Sequence, residues 1–159
     1  MLSPCIIMKS SSGASAKRPR ISVCFVHHPE PKLLMKLTLF SFGFKHGYPE
    51  ANIVWDVRFL PNPYWEEHLR NHTGREPQVA DYVLNNPTGQ EFLEHLSRLL
   101  SLTVRKHKAG GREELRCAVG CTGGRHRSVA VTEYLRTILS QCLESEDELT
   151  VSHRDIEKR

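Results

Sequence analysis

Residues 115–128, Leu-Arg-Cys-Ala-Val-Gly-Cys-Thr-Gly-Gly-Arg-His-Arg-Ser, hold the densest chemistry of this 159-residue chain. A short apolar strand leads into a basic loop with two adjacent glycines, and the loop opens an amphipathic helix. N–H groups at a helix start lack partners inside the helix and carry partial positive charge, so such a loop attracts phosphate. Gly123 and Gly124 let the backbone approach a ligand closely. Arg125 and Arg127 add charge, and an arginine in a tight glycine loop needs an anionic partner. The segment reads as a phosphate or other oxyanion site.

The elements that must position this loop follow from periodicity. Residues 36–42 are β-rich and suit a strand, followed by a breaker-bounded loop over 43–49. Residues 53–59 read as a second strand, which Pro61 and Pro63 terminate. A short helix is expected over 79–85 and a longer one over 88–108. The longer one carries Phe92, Leu93, Leu96, Leu99, Leu100 and Val104 on one face at 3.6 spacing. Residues 115–120 form the third strand, and the helix after the loop, to about Cys142, buries Val131, Tyr134, Leu135, Ile138 and Leu139. A last strand is expected over 149–152. Strands separated by helices imply an α/β fold with a mainly parallel sheet flanked by helices. Ligands of such folds sit beyond the carboxyl ends of the strands, where the loops after Phe42, Phe59 and Gly120 would converge. Trp55, Phe59 and Trp65 are read as core rather than as a base-stacking surface.

Composition bounds the rest. With 39% hydrophobic and 25% charged residues, the chain is long enough for one domain with its own core. No apolar run approaches the roughly 18 residues of a membrane helix. Of 22 basic residues, Lys9, Lys17, Arg18 and Arg20 lie in an acid-free N-terminal stretch, so the remainder is balanced by the 18 acidic ones. Affinity for nucleic acid must then come from a local patch. Residues 1–34, with the Ser-rich run before Lys17-Arg18-Pro19-Arg20, read as a disordered basic tail or a mitochondrial or nuclear targeting segment. Residues 35–159 read as the folded domain. Cys5, Cys24, Cys117, Cys121 and Cys142 form no CxxC pair, which argues against a disulfide framework and for an intracellular, cytoplasmic location. No metal site or cofactor is expected.

Cys121-Thr122-Gly123-Gly124-Arg125-His126-Arg127-Ser128 fits C-x2-G-x2-R-[S/T] and resembles the phosphate loop of cysteine-dependent phosphatases such as the tyrosine phosphatases. On that reading Cys121 is a thiolate nucleophile, Arg127 binds two phosphate oxygens, Ser128 assists the thiolate, and Asp56 is the general acid. Glycine precedes Cys121 where those phosphatases usually carry histidine.

A second resemblance spans much more of the chain. It is carried by Ser41-Phe42-Gly43-Phe44-Lys45-His46-Gly47, by Asp56-Val57-Arg58-Phe59-Leu60-Pro61-Asn62-Pro63, by Gly120-Cys121-Thr122-Gly123-Gly124 with His126-Arg127-Ser128-Val129, and by His153-Arg154 with Glu157-Lys158-Arg159. In this order and spacing they resemble the C-terminal domain of the RapZ family, bacterial RNase adapters also known as the YvcJ family. The resemblance implies a phosphofructokinase-like α/β subdomain, standing alone here, that binds glucosamine-6-phosphate, takes part in small-RNA binding and assembles into oligomers. It implies that Thr122, Gly123, Gly124, Arg125, His126, Arg127 and Ser128 hold the phosphate, that Asp56 and Arg58 help line the pocket, and that Lys45, Lys158 and Arg159 face RNA. Tyr64 stands where the family usually has histidine. The family's N-terminal GxxxxGK[S/T] domain has no counterpart in these residues, so nucleotide binding is not carried over. The expected role is sensing or adapting, with a phosphatase or an oligomerising structural module as alternatives.

Overall fold

The computed structural model describes residues 34–158; the N-terminal segment expected to be a tail, and Arg159, lie outside them. Four strands, β1 (Lys36–Gly43), β2 (Ile53–Asp56), β3 (Glu114–Cys121) and β4 (Glu148–His153), form one sheet in the order β2-β3-β1-β4. Every pairing is parallel. Three helices, α1 (Pro77–Leu84), α2 (Pro87–Ala109) and α3 (Arg127–Cys142), complete the α/β fold. Among the described residues no helix is long and apolar enough to cross a membrane.

Alternation along the strands divides the apolar residues between two faces. Leu37 and Leu39 of β1 and Leu115, Cys117 and Val119 of β3 join Leu93, Leu96, Leu100 and Val104 of α2 and Val131, Leu135 and Leu139 of α3 in the main core. Phe40, Phe42 and Ala118 lie on the opposite face, where Phe44 and Ala51 pack against them. Two of the helices start on proline, at a position that needs no N–H donor. Pro77 opens α1 and Pro87 opens α2, where the Asn86 side chain accepts the Gly89 N–H at 2.9 Å as an N-cap.

Three expectations need correction. The second strand stops at Asp56, three residues early, because the Asp56 carboxylate accepts the Arg58 N–H at 2.9 Å and turns the chain. Leu99 sits beside the buried stripe of α2 and is 54% exposed. Phe59 and Trp65 are exposed as well, while Trp55 packs at the edge of the core.

Parallel pairing brings three strand ends together. Gly43 stands opposite Cys121, and Asp56 opposite Gly120. The loops leaving β1, β2 and β3 therefore converge at one end of the sheet, as the topology rule requires.

A polar relay ties β4 to this frame. His153, with a side chain 1% exposed, places Nδ1 2.7 Å from the Ser41 hydroxyl of β1 and Nε2 2.8 Å from the Glu133 carboxylate of α3. Burial is the chief reason its pKa lies below the ordinary 6.5; Glu133 opposes that shift and Arg75 and Arg136 reinforce it. His126 is lowered too, again mainly by burial. Below 6.5 the unfolded chain binds protons that these rings refuse, so folding stability is complete above about pH 6.5 and declines as pH falls below it. Urea midpoints compared at about pH 7.5 and pH 5.5 should show this decline, and His153→Gln should make the dependence shallower.

Candidate functional site

The loop at residues 121–128 is shaped by close backbone passage. Gly124 has φ +76°, and a Cβ there would lie 2.6 Å from the Gly43 nitrogen and 2.9 Å from Asp155 Cβ. A Cβ on Gly43 would lie 2.5 Å from the Gly123 carbonyl carbon. Gly43 and Gly124 thus let the β1 and β3 loops cross in contact, which explains both glycines sterically. Gly123 is different: the nearest side-chain atom to its missing Cβ is Lys45 Cε at 3.8 Å, so its open space faces the cavity.

Asp155 locks the crossing. Its carboxylate is fully buried and accepts the Gly43 N–H at 2.8 Å, while Arg154 Nη2 and Lys158 Nζ each approach it to 2.7 Å. Burial alone would raise its pKa, but the bonds from Arg154, Lys158 and Gly43 prevail and hold it down at about 2. The Arg154 guanidinium also donates to the Gly47 carbonyl at 2.8 Å, so the β4 end fastens the whole β1 loop. Sequence reasoning passed over Asp155. A carboxylate directly after Arg154 and three residues before Lys158 was the available signal.

Above this crossing lies a cavity of about 800 Å³. The 121–127 loop forms one wall through Cys121, Thr122, Gly123, Arg125, His126 and Arg127. Lys45 and Lys158, both assigned to an RNA face on resemblance, border the same cavity. Asn62, Tyr64, Trp65, Arg70 and Asn71 form the remainder, and no carboxylate lines it. Asn62, Tyr64 and Trp65 come from a proline-bounded motif, of which the sequence resemblance singles out only the Tyr64 position. Arg70 and Asn71 carried no sequence signal.

The four arginines nearby play distinct parts. Arg125 spends its guanidinium on the carbonyls of His72, Ile156 and Asn71, at 3.2, 3.2 and 2.9 Å, and so fastens the chain after Trp65 to the loop. Arg58 is paired bidentately with Asp56 and lies 4.4 Å over the Phe44 ring. That pairing is the main reason the Asp56 carboxyl titrates below its usual range. Neither Asp56 nor Arg58 borders the cavity, and neither do Gly124 and Ser128. Arg70 donates to the Tyr64 carbonyl at 3.0 Å.

Arg127 is the exception. It is only 6% exposed and borders the cavity, yet among the described residues it forms no ion pair with a carboxylate. Nη1 donates to the Arg58 carbonyl at 2.5 Å and the Leu60 carbonyl at 3.3 Å, and Nη2 approaches Thr122 Oγ1 at 3.3 Å, while Nε is buried without a partner. A buried cation with no carboxylate in ion-pair contact and part of its hydrogen-bonding capacity unused gains from an anion that arrives at the cavity wall. The N–H groups of Gly123, Arg125 and His126 likewise have no partner among the described residues, and α3 begins directly after them.

Cys121 lies beneath the loop, 3% exposed. Its sulfur accepts the Gly124 N–H at 3.2 Å and stands 3.2 Å from the buried Ser128 hydroxyl. The sulfur thus serves the loop backbone from below.

A family model for the RapZ C-terminal domain matches residues 35–157. The chain belongs to the RapZ C-terminal domain family. A nucleotide-binding protein of Mycobacteroides abscessus is 44% identical over 154 residues, covering 95% of this chain and 49% of that protein. Nucleotide-binding proteins of Rhodococcus erythropolis and Bacillus thuringiensis are 42% and 40% identical over 154 residues, covering 95% and 96% of the chain. This RapZ C-terminal domain therefore spans about half the length of the curated relatives it matches.

Proposed function

We propose that this RapZ C-terminal domain binds a phosphorylated small molecule of the glucosamine-6-phosphate class in the cavity above the 122–127 loop, and that it serves as a sensing or adapter domain. The observation that carries the reading is Arg127: a buried guanidinium at the cavity wall, without a carboxylate partner and with an unbonded Nε. The surroundings favour an anion throughout. Lys45, Arg70, Arg125 and Lys158 share the cavity, no acid does, and three loop N–H groups have no partner among the described residues. A phosphate there would meet backbone donors at a helix start together with fixed positive charge.

The phosphatase reading receives less support. A general acid must hold a proton at working pH, whereas Arg58 holds the Asp56 carboxyl in its ionised form. The Arg127 Nη1 atom is turned toward the Arg58 carbonyl, leaving at most part of the guanidinium for an oxyanion. Binding without turnover fits these contacts better.

Amide NMR of the full chain tests this directly. Glucosamine-6-phosphate should move the N–H signals of Gly123, Arg125 and His126 in a saturable titration, with no release of inorganic phosphate. Hydrolysis that is lost in Cys121→Ser would establish the phosphatase instead.

A further inference from the structure

Two large aromatic side chains stand exposed at the mouth of the cavity, and nothing in the phosphate reading uses them. Trp65 is 73% exposed and Tyr64 50% exposed, although an indole normally contributes its large apolar area to a core. Their rings meet edge to face, 5.4 Å apart and inclined at 80°. The backbone beneath them is fixed. The Trp65 N–H donates to the Asn62 carbonyl at 3.2 Å, the Glu66 N–H donates to the Pro63 carbonyl at 3.1 Å, and Pro61 and Pro63 restrict the approach. Arg70 secures Tyr64 twice, through its carbonyl at 3.0 Å and with the guanidinium 5.2 Å from the ring. An exposed aromatic pair on a short rigid turn is preorganised, so little ordering cost opposes its use in binding.

We propose that Trp65, braced by Tyr64, is a stacking subsite that selects phosphomonoesters carrying a ring. The phosphate lies at the 123–127 loop and one face of the ring rests on the indole. The inference rests on the phosphate-site reading and adds to it the residue that discriminates among phosphates. Two features support it. Both aromatics border the same cavity as Thr122, Gly123 and Arg127. A cavity of about 800 Å³ also has room for a ring as well as a phosphate, within the range of about 300–1,000 Å³ common for small-molecule sites. Aromatic faces accept both the C–H face of a sugar and the π face of a base, so the shared requirement is a ring, and the experiment separates the two sources.

The test measures dissociation constants of the full chain and of Trp65→Ala and Trp65→Phe for inorganic phosphate, glucosamine-6-phosphate and adenosine 5′-monophosphate. Trp65 is exposed, so its truncation leaves the core intact. Trp65→Ala should weaken the ring-bearing ligand that belongs here about tenfold, a loss of about 1.4 kcal/mol. It should leave inorganic phosphate unchanged, and Trp65→Phe should restore most of the loss. Whichever of the sugar and nucleoside phosphates shows this dependence identifies the ring. Equal affinities in wild type and Trp65→Ala would overturn the inference, as would an equal loss for inorganic phosphate. So would a wild type that holds neither ring compound more tightly than phosphate. If the wild type binds no phosphate at all, the phosphate-site reading fails first and the stacking subsite fails with it.

Discussion

Gly124→Ala should lower the stability of the domain by about 3 kcal/mol or more, close to 10 °C in melting temperature for a chain of this size. Two costs combine. The residue sits at φ +76°, which an L side chain rarely adopts, and its Cβ would press against the Gly43 nitrogen, the Phe42 carbonyl carbon and Asp155 Cβ at 2.6, 2.9 and 2.9 Å. None of these contacts is the free end of a flexible side chain, so relief requires the β1 and β3 loops to separate. Gly123→Ala is the matched control. Its new methyl would meet nothing closer than Lys45 Cε at 3.8 Å, and the change in stability should stay within about 1 kcal/mol. Thermal melts of the two variants side by side provide the comparison. Equal melting temperatures would show that the loops do not cross as described.

Asp155→Ala should be comparably severe, at about 3–5 kcal/mol, because it leaves the buried Gly43 N–H and the Arg154 guanidinium without their shared acceptor. The same carboxylate produces an acid dependence of definite sign. Its pKa falls from the ordinary 3.8 to about 2 on folding, so its stabilisation is complete above about pH 4 and is lost as pH drops toward 2. At 1.36 kcal/mol per unit the contribution is about 2 kcal/mol. Denaturant midpoints from about pH 5 to pH 2 should decline steeply in the wild type. Asp155→Asn, which retains the shape and loses the charge, should begin less stable and decline less over that range.

These two residues also show what can be read from the sequence and what cannot. The strands and helices were legible because the apolar periodicities of 2 and 3.6 are strong: β1, β3, α2 and α3 fall within one or two residues of where their patterns place them. The end of β2 was not legible, since Val57 and Phe59 continue the alternation while a side-chain bond from Asp56 to the Arg58 N–H turns the backbone. Phe59, Trp65 and Leu99 carry apolar side chains to exposed positions, and composition does not distinguish such residues from core. The glycine- and arginine-rich loop after β3 was legible as a turn between strand and helix, yet the partners of its arginines were not. Arg125 and Arg127 look alike in sequence. Arg125 has a carbonyl on each of its three nitrogens, whereas Arg127 keeps an unbonded Nε at the cavity wall. Lys45 and Lys158 were placed on an RNA face by resemblance, and they share the cavity because β1 and β4 end beside the loop. Distant residues met in this way are invisible to local patterns.

The central claim is an anion site built around Arg127, and its most direct test is thermal melting of the chain with glucosamine-6-phosphate, against glucosamine and inorganic phosphate. A ligand at 100 times its dissociation constant adds about 2.7 kcal/mol to a folded domain. The account predicts a rise of several degrees with the sugar phosphate, a smaller rise with phosphate, none with glucosamine, and no response in Arg127→Ala. A wild type whose melting temperature stays the same with all three compounds would contradict it.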